Sequence, residues 1–292
     1  MRSQLVRTVS KIIKEDNKAV LLLGDIGVFG FRESLKNHPE RAYNIGILEQ
    51  STISLASGLS MCGLIPIVHT IAPFLVERSF EQIKVDLCYQ ELGANLVSVG
   101  ASYDYAALGP THHCPGDVAI LNQIPNIEIV IPGHPDEFDE LFRSNYNNER
   151  TTYYRLSGDS NAVSHEVTFG KNVIVREGKE LVVIAVGPML QTVMDALDDL
   201  DVTIIYCTTI KPFDTSFLAQ YLSKKIVIFE PYYSGVLLTN ILRQTESLVG
   251  DYTSIGVPND FINKYGNKED IDKFIGLDKQ TIRQKVMKKI NE

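Results

Sequence analysis

Cysteine is scarce in this sequence, and the few present are scattered. Cys62, Cys88, Cys114 and Cys207 are the only four in 292 residues. No two lie close together and none shows metal-ligand spacing, so neither a disulfide framework nor a zinc site is expected, and a reducing cytoplasm fits. Basic charge is also short. Lys and Arg number 28 against 36 Asp and Glu, a net charge of −8, and a nucleic-acid surface needs the opposite balance. No apolar run approaches the roughly 20 residues of a membrane helix. The opening residues, Met1-Arg2-Ser3-Gln4-Leu5, lack the apolar core of a signal peptide. Internal repeats and low-complexity stretches are absent too.

What remains is an ordinary globular composition, 44% apolar and 22% charged. The length suggests two domains, each able to bury its own core. Runs rich in β-branched residues predict strands at about 19–24, 65–70, 95–100, 128–131 and 152–156. Helices are predicted between them, over about 2–15, 47–62, 75–89 and 135–146, with a short one ending near 123. The strand runs are continuous rather than alternating, which means burial on both faces, as in a parallel sheet covered by helices. Strand and helix alternate, so a doubly wound α/β sheet follows. Residues 157–178 are polar and carry glycine, a plausible boundary. A second βα series begins at Leu181–Gly187, with strands near 202–206, 225–229 and 253–256 and a charged, amphipathic helical end after Asp270. Gly187-Pro188 reads as a strand-to-helix turn, and Lys211-Pro212-Phe213-Asp214 as a turn into a helix cap.

Two short runs carry chemistry. Asn44-Ile45-Gly46-Ile47-Leu48-Glu49-Gln50 places one carboxylate at the start of an otherwise apolar helix, and burying it is costly without hydrogen bonds. Gly109-Pro110-Thr111-His112-His113 puts a histidine pair on a turn. Taken singly, Glu49 could be a helix-start glutamate favoured by the helix dipole, and His112 a turn histidine with a structural hydrogen bond.

Together, and with Thr70-Ile71-Ala72-Pro73-Phe74, Arg78-Ser79-Phe80-Glu81-Gln82-Ile83 and Pro125-Asn126 before the strand at Ile127, these runs resemble the pyrimidine-binding domain of the transketolase superfamily. The resemblance is strong over residues 1–157 and weaker over 180–250. It implies thiamine diphosphate as cofactor, with Glu49 hydrogen-bonding N1′ of the aminopyrimidine so that the cofactor's own amino group can take the thiazolium proton. An apolar setting keeps such a carboxyl partly protonated. By the same resemblance Phe74 stacks on the aminopyrimidine, Asp25 lies near the thiazolium, and His112 exchanges protons with substrate oxygens. His113 is either a substrate contact or a supporting group, Arg2 a candidate phosphate ligand, and Phe80 and His69 are structural.

The sequence also departs from the family. Aligned on Gly109-Pro110-Thr111-His112, the positions of the family's phosphate histidine, hydroxyl-recognising aspartate, phosphate serine and phosphate arginine fall on Gly100, Leu108, Phe29 and Gly158. A bound phosphate needs charge-assisted donors, so an ordinary pentose phosphate held in the usual way is not expected. The Gly-Asp-Gly motif that holds Mg²⁺ and the cofactor diphosphate is absent; Gly158-Asp159-Ser160 and Gly116-Asp117-Val118 do not replace it.

The resemblance therefore implies a pyrimidine-binding domain at 1–157, a smaller transketolase C-terminal α/β domain at 170–292, and no metal site on this chain. The Mg²⁺ and diphosphate would be held by an N-terminal transketolase-like partner in an α₂β₂ assembly acting on small sugar substrates, with neither nucleic acid nor membrane involved. Alternatives are a deoxyxylulose-phosphate-synthase-like enzyme, the β subunit of a 2-oxo acid dehydrogenase E1 component, or a non-catalytic dimerisation module.

Overall fold

The apolar runs become strands because their side chains can be covered on both sides. In the computed structural model, which describes residues 1–221, 224–244 and 250–292, the strands are β1 (Ala19–Leu23), β2 (Ala42–Asn44), β3 (Ile65–Ile71), β4 (Ala94–Val99), β5 (Ile127–Val130), β6 (Thr151–Arg155), β7 (Asn172–Arg176), β8 (Val182–Val186), β9 (Thr203–Cys207), β10 (Thr209–Lys211), β11 (Lys225–Tyr233) and β12 (Asp251–Val257). Every residue of β1, β4, β6, β8 and β9 is buried, as expected for parallel sheets sandwiched by helices.

The strands form a seven-stranded sheet in the order β10-β5-β6-β4-β3-β1-β2 and a five-stranded sheet in the order β12-β11-β8-β9-β7. All pairings are parallel except β10 with β5 and β7 with β9. The fold is thus two doubly wound α/β domains with mostly parallel sheets. Several details were not anticipated. The polar stretch 157–178 contains β7, an antiparallel edge strand. Residues Thr209–Lys211, of which only Lys211 was read, as the start of a turn, leave the second domain and extend the first sheet against β5.

The cores are divided by sheet face rather than by domain. One apolar cluster joins Leu21, Val97 and Tyr154 of the first sheet to Val183, Ile204 and Phe229 of the second. The other joins Leu22, Leu96 and Tyr153 to Ile184, Ile205 and Ile228. Polar bonds reinforce the junction. The Tyr206 hydroxyl donates to Glu137 Oε2 at 2.6 Å and accepts from the Gly133 N–H at 2.9 Å. Tyr103 donates to Asp272 at 2.7 Å.

A buried ion pair of the first domain is tied into the junction. Arg155 Nε donates to Asp117 Oδ2 at 2.7 Å, Tyr153 donates to the same oxygen at 2.7 Å, and Arg155 Nη2 reaches Ser102 Oγ at 2.7 Å. Ser102 in turn donates to the Pro231 carbonyl of the second domain. Asp117 is fully buried and Arg155 only 1% exposed. Removing one partner strands the other charge out of water, so Asp117→Ala is expected to lower unfolding free energy by about 3–5 kcal/mol. Urea denaturation would measure the loss, and the apolar pair Asp117→Leu with Arg155→Met should recover most of it.

Candidate active site

Parallel strands bring their following loops to one edge of the sheet, and the strand order reverses between β1 and β3. Crevices for ligands open at such a reversal, outside the carboxyl ends of the strands. Here the strand ends at that point are Gly24-Asp25 after β1 and His69-Thr70 of β3. The Gly24 N–H bonds the His69 carbonyl at 3.0 Å, and Thr70 Oγ1 donates to the Gly24 carbonyl at 3.3 Å. A side chain at Gly24 would meet Thr70 Cβ at 2.9 Å, so only glycine lets the two strand ends approach this closely.

Glu49 begins the helix Glu49–Met61 and is 3% exposed. Its Oε2 accepts a 2.8 Å hydrogen bond from Arg78 Nη1, while its Oε1 is buried with no partner. The neighbour is therefore a guanidinium rather than the purely apolar setting expected. The helix itself also differs from expectation. Only Glu49, Thr52, Ile53 and Ala56 are buried, while Ser51, Ser54, Leu55 and Gly58 on its outer side, with Ile47 and Leu48 just before it, are exposed.

The predicted helix over 75–89 is broken. Ala72–Val76 and Phe80–Gln82 are α-helical, residues 77–79 form a turn, and Ile83–Cys88 are wound as a π-helix. The break places Arg78 over Phe74, its guanidinium carbon 4.2 Å from the ring centroid. The half-buried Phe74 ring meets His112 edge-on at 5.3 Å, and Tyr105 meets His112 at 6.1 Å. His112 ends a short 3₁₀ turn, Ala106–Thr111, and its Nδ1 lies 3.0 Å from Thr111 Oγ1. Glu49, Arg78, Phe74 and His112 thus form one chain of contacts at the carboxyl edge.

The other candidates lie around this chain. Asp25 is exposed with a left-handed φ of 58°, and it exchanges two 3.1 Å hydrogen bonds with Asn44. His113 is buried, its Nε2 3.4 Å from the Ala106 carbonyl, and burial lowers its pKa; this position suits support of the loop better than substrate contact. Arg2 is exposed at the start of the helix Arg2–Glu15, and its charge is felt at His69.

Comparison with known proteins places both domains in a family. Residues 1–159 match the family model for the transketolase pyrimidine binding domain, and residues 170–282 that for the transketolase C-terminal domain. The chain belongs to the transketolase family. Relatives include an uncharacterized 33.6 kDa protein in the fasciation locus of Rhodococcoides fascians, 37% identical over 96% of this chain and 91% of that protein. An apulose-4-phosphate transketolase subunit from Actinobacillus succinogenes is 31% identical over 63% of this chain and 62% of its own length. A 1-deoxy-D-xylulose-5-phosphate synthase from Thermotoga petrophila is 28% identical over 96% of this chain, which spans only 48% of that enzyme. The fold superposes on a split-gene transketolase solved as an inactive β4 tetramer with a TM-score of 0.86 at 22% identity, covering 99% of this chain and 97% of that one.

Within the family fold, the departures read from sequence gain physical form. Gly100 has φ +78°, and a Cβ there would sit 2.4 Å from the Tyr105 ring, so no histidine fits at that position. Phe29 and Leu108 are exposed, 80% and 53% respectively. The Gly158 N–H is committed to Asp104 Oδ2 at 2.8 Å. Sequence reasoning gave Arg78 no role. The available signal was its spacing, four residues after Phe74.

His69, expected to be structural, is fully enclosed. Its Nδ1–H donates to the Val97 carbonyl at 2.9 Å, and Nε2 is buried without a partner. Desolvation drives its pKa from 6.5 down to about 4. The folded state therefore refuses a proton that the unfolded chain accepts as pH falls below 6.5, and stability contributed by neutral His69 is lost between pH 6.5 and about 4. At 1.36 kcal/mol per pH unit the loss is about 3 kcal/mol. Denaturation midpoints measured across this range should fall with pH, and His69→Asn should flatten the slope.

Proposed function

We propose that this chain is one subunit of a split, thiamine-diphosphate-dependent transketolase-like enzyme, supplying the pyrimidine-binding and C-terminal domains. A partner carrying the diphosphate-binding domain completes it, in an α₂β₂ assembly. The observation that carries the proposal is Glu49: a buried carboxyl with one oxygen unpartnered, linked through Arg78 to an aromatic face that in turn meets a histidine.

These residues fit the aminopyrimidine end of the cofactor. Glu49 Oε1 would hydrogen-bond N1′, Phe74 would offer its ring, and Asp25 stands at the mouth of the crevice. Thiamine diphosphate supplies a nucleophilic thiazolium carbon that can carry a two-carbon ketol or acyl unit. His112 is the group that would move protons at the substrate's hydroxyl or carbonyl oxygen. The diphosphate and Mg²⁺ fall to the partner, because this sequence lacks Gly-Asp-Gly. A relative whose name makes it a transketolase subunit supports the subunit reading. Among the described residues no helix is long and apolar enough to cross a membrane, and we assign the enzyme to the cytoplasm. The likeness to deoxyxylulose-phosphate synthases supports a second reading, in which the assembled enzyme forms a deoxyxylulose-phosphate-type product rather than transferring a ketol unit; product analysis separates the two.

The decisive experiment is reconstitution. The chain alone should bind thiamine diphosphate weakly and not turn over, and the partner should restore both properties; tight Mg²⁺-dependent binding by the chain alone would defeat the proposal. In the assembled enzyme, Glu49→Gln should slow exchange of the thiazolium C2 proton, followed by NMR, by about a hundredfold or more, with thermal stability little changed.

Substrate choice follows from Phe29, Leu108, Gly100 and Gly158, which offer no cation to a phosphate. An acceptor whose charge is absent or lies elsewhere, such as a nucleotide-linked or modified sugar, should exceed ribose 5-phosphate in kcat/KM by at least about tenfold. The relative named for apulose 4-phosphate marks the competing outcome, replacement arginines supplied by the partner. Ordinary pentose-phosphate preference, with Arg2→Ala silent, would show that the correspondence drawn for the phosphate pocket is wrong.

A further inference from the structure

Arg78 makes two contacts at once. Its Nη1 donates to Glu49 Oε2 at 2.8 Å, and its guanidinium carbon lies 4.2 Å from the centre of the Phe74 ring. A guanidinium is planar, delocalised, cationic and edged with N–H donors. A flat nitrogen heterocycle protonated at its ring nitrogen has the same four properties. It would also use the same two side chains, with an N–H to the Glu49 carboxyl and a face on Phe74. Arginine is drawn to an aromatic face for the reason such a ring is, the negative quadrupole above it.

The seat is built but only partly filled. Glu49 keeps one buried oxygen, Oε1, with no hydrogen-bond partner, and a buried acceptor left unpaired is costly. Arg78 therefore does not exhaust what the carboxyl can bind. The arginine can also leave. It sits in the turn at residues 77–79 between two short helices, and its side chain is 38% exposed while that of Glu49 is 2% exposed. Its head is thus within reach of water, whereas the Glu49 carboxyl is enclosed.

We infer that in the free chain Arg78 occupies the aminopyrimidine's seat between Glu49 and Phe74, and that cofactor entry displaces it. This rests on the reading of Glu49 and Phe74 as the cofactor's pyrimidine contacts. Arg78 is on this account a gating residue: it neutralises the buried carboxylate while the seat is empty, and the incoming ring must compete with it. Displacement also frees a cation at the edge of the crevice.

Thiamine without its diphosphate isolates the pyrimidine seat and can be offered to the full chain alone. Titration followed by broadening and saturation transfer at the thiamine 2′-methyl signal gives the affinity. Arg78→Met, which removes the competitor, should bind thiamine about tenfold more tightly than the parent chain, a difference of 1.4 kcal/mol. Arg78→Lys keeps the charge but loses the flat fork, so it should fall between them, and it serves if the methionine variant folds poorly. Glu49→Gln should weaken binding in both backgrounds. Thiamine binding that depends on Glu49 but is unchanged or weakened in Arg78→Met and Arg78→Lys would overturn the inference alone, because Arg78 would then be holding Glu49 in place. Binding that is insensitive to Glu49→Gln, or absent from every variant, would overturn the cofactor reading together with the inference.

Discussion

A sheet whose strands are covered on both faces meets water only at its ends, and this constraint governs the rest of the molecule. Glu49, Phe74 and His112 are distant in sequence, yet each lies in the segment that follows a parallel strand, β2, β3 and β4 respectively. The strand order reverses between β1 and β3, and there Gly24 approaches Thr70 closely. His69 beside them is bonded to the Val97 carbonyl of the neighbouring strand.

The second domain shapes this edge although Glu49, Arg78, Phe74 and His112 all come from the first. Tyr265 packs on Gly109, where an added Cβ would lie 2.6 Å from its ring, so the turn that delivers His112 is held from outside its own domain. Pro115 accepts the Tyr233 N–H at 3.0 Å just beyond the same turn. Beneath both contacts, the Asp117–Arg155 pair and its Ser102 and Tyr153 partners tie the two sheets together. Position at the crevice is thus a property of the whole chain.

Much of this was legible in the sequence. Continuous β-branched runs separated by helical segments can be buried only in a parallel, doubly wound sheet, and the five strands predicted in the first domain are present. The elements that escaped were those whose formation depends on distant partners. Strand β2 has three residues and exists because β1 pairs with it. Strand β10 has no pattern of its own and is defined by β5. The break at residues 77–79 cannot be read from a helical repeat, which runs through it without interruption. The Glu49 helix looked apolar by composition, but its serines and Leu55 face outward in this chain. Glu49, Phe74 and His112 could be proposed from sequence because motif spacing singles them out. Arg78 was not given a role, because an ion pair across 29 residues leaves no local trace.

Strand β10 has one more implication. The outer edge of β5 is closed by three residues that belong, by sequence, to the other domain. Were the chain to stop before Thr209, that edge would present a row of unmet backbone N–H and C=O groups, the kind of surface on which foreign strands add and aggregates grow. The first half of this protein is therefore not a smaller protein in waiting. Severed from the second, it would be an adhesive fragment, and any rearrangement that shuffles these domains must carry the three-residue closure with it.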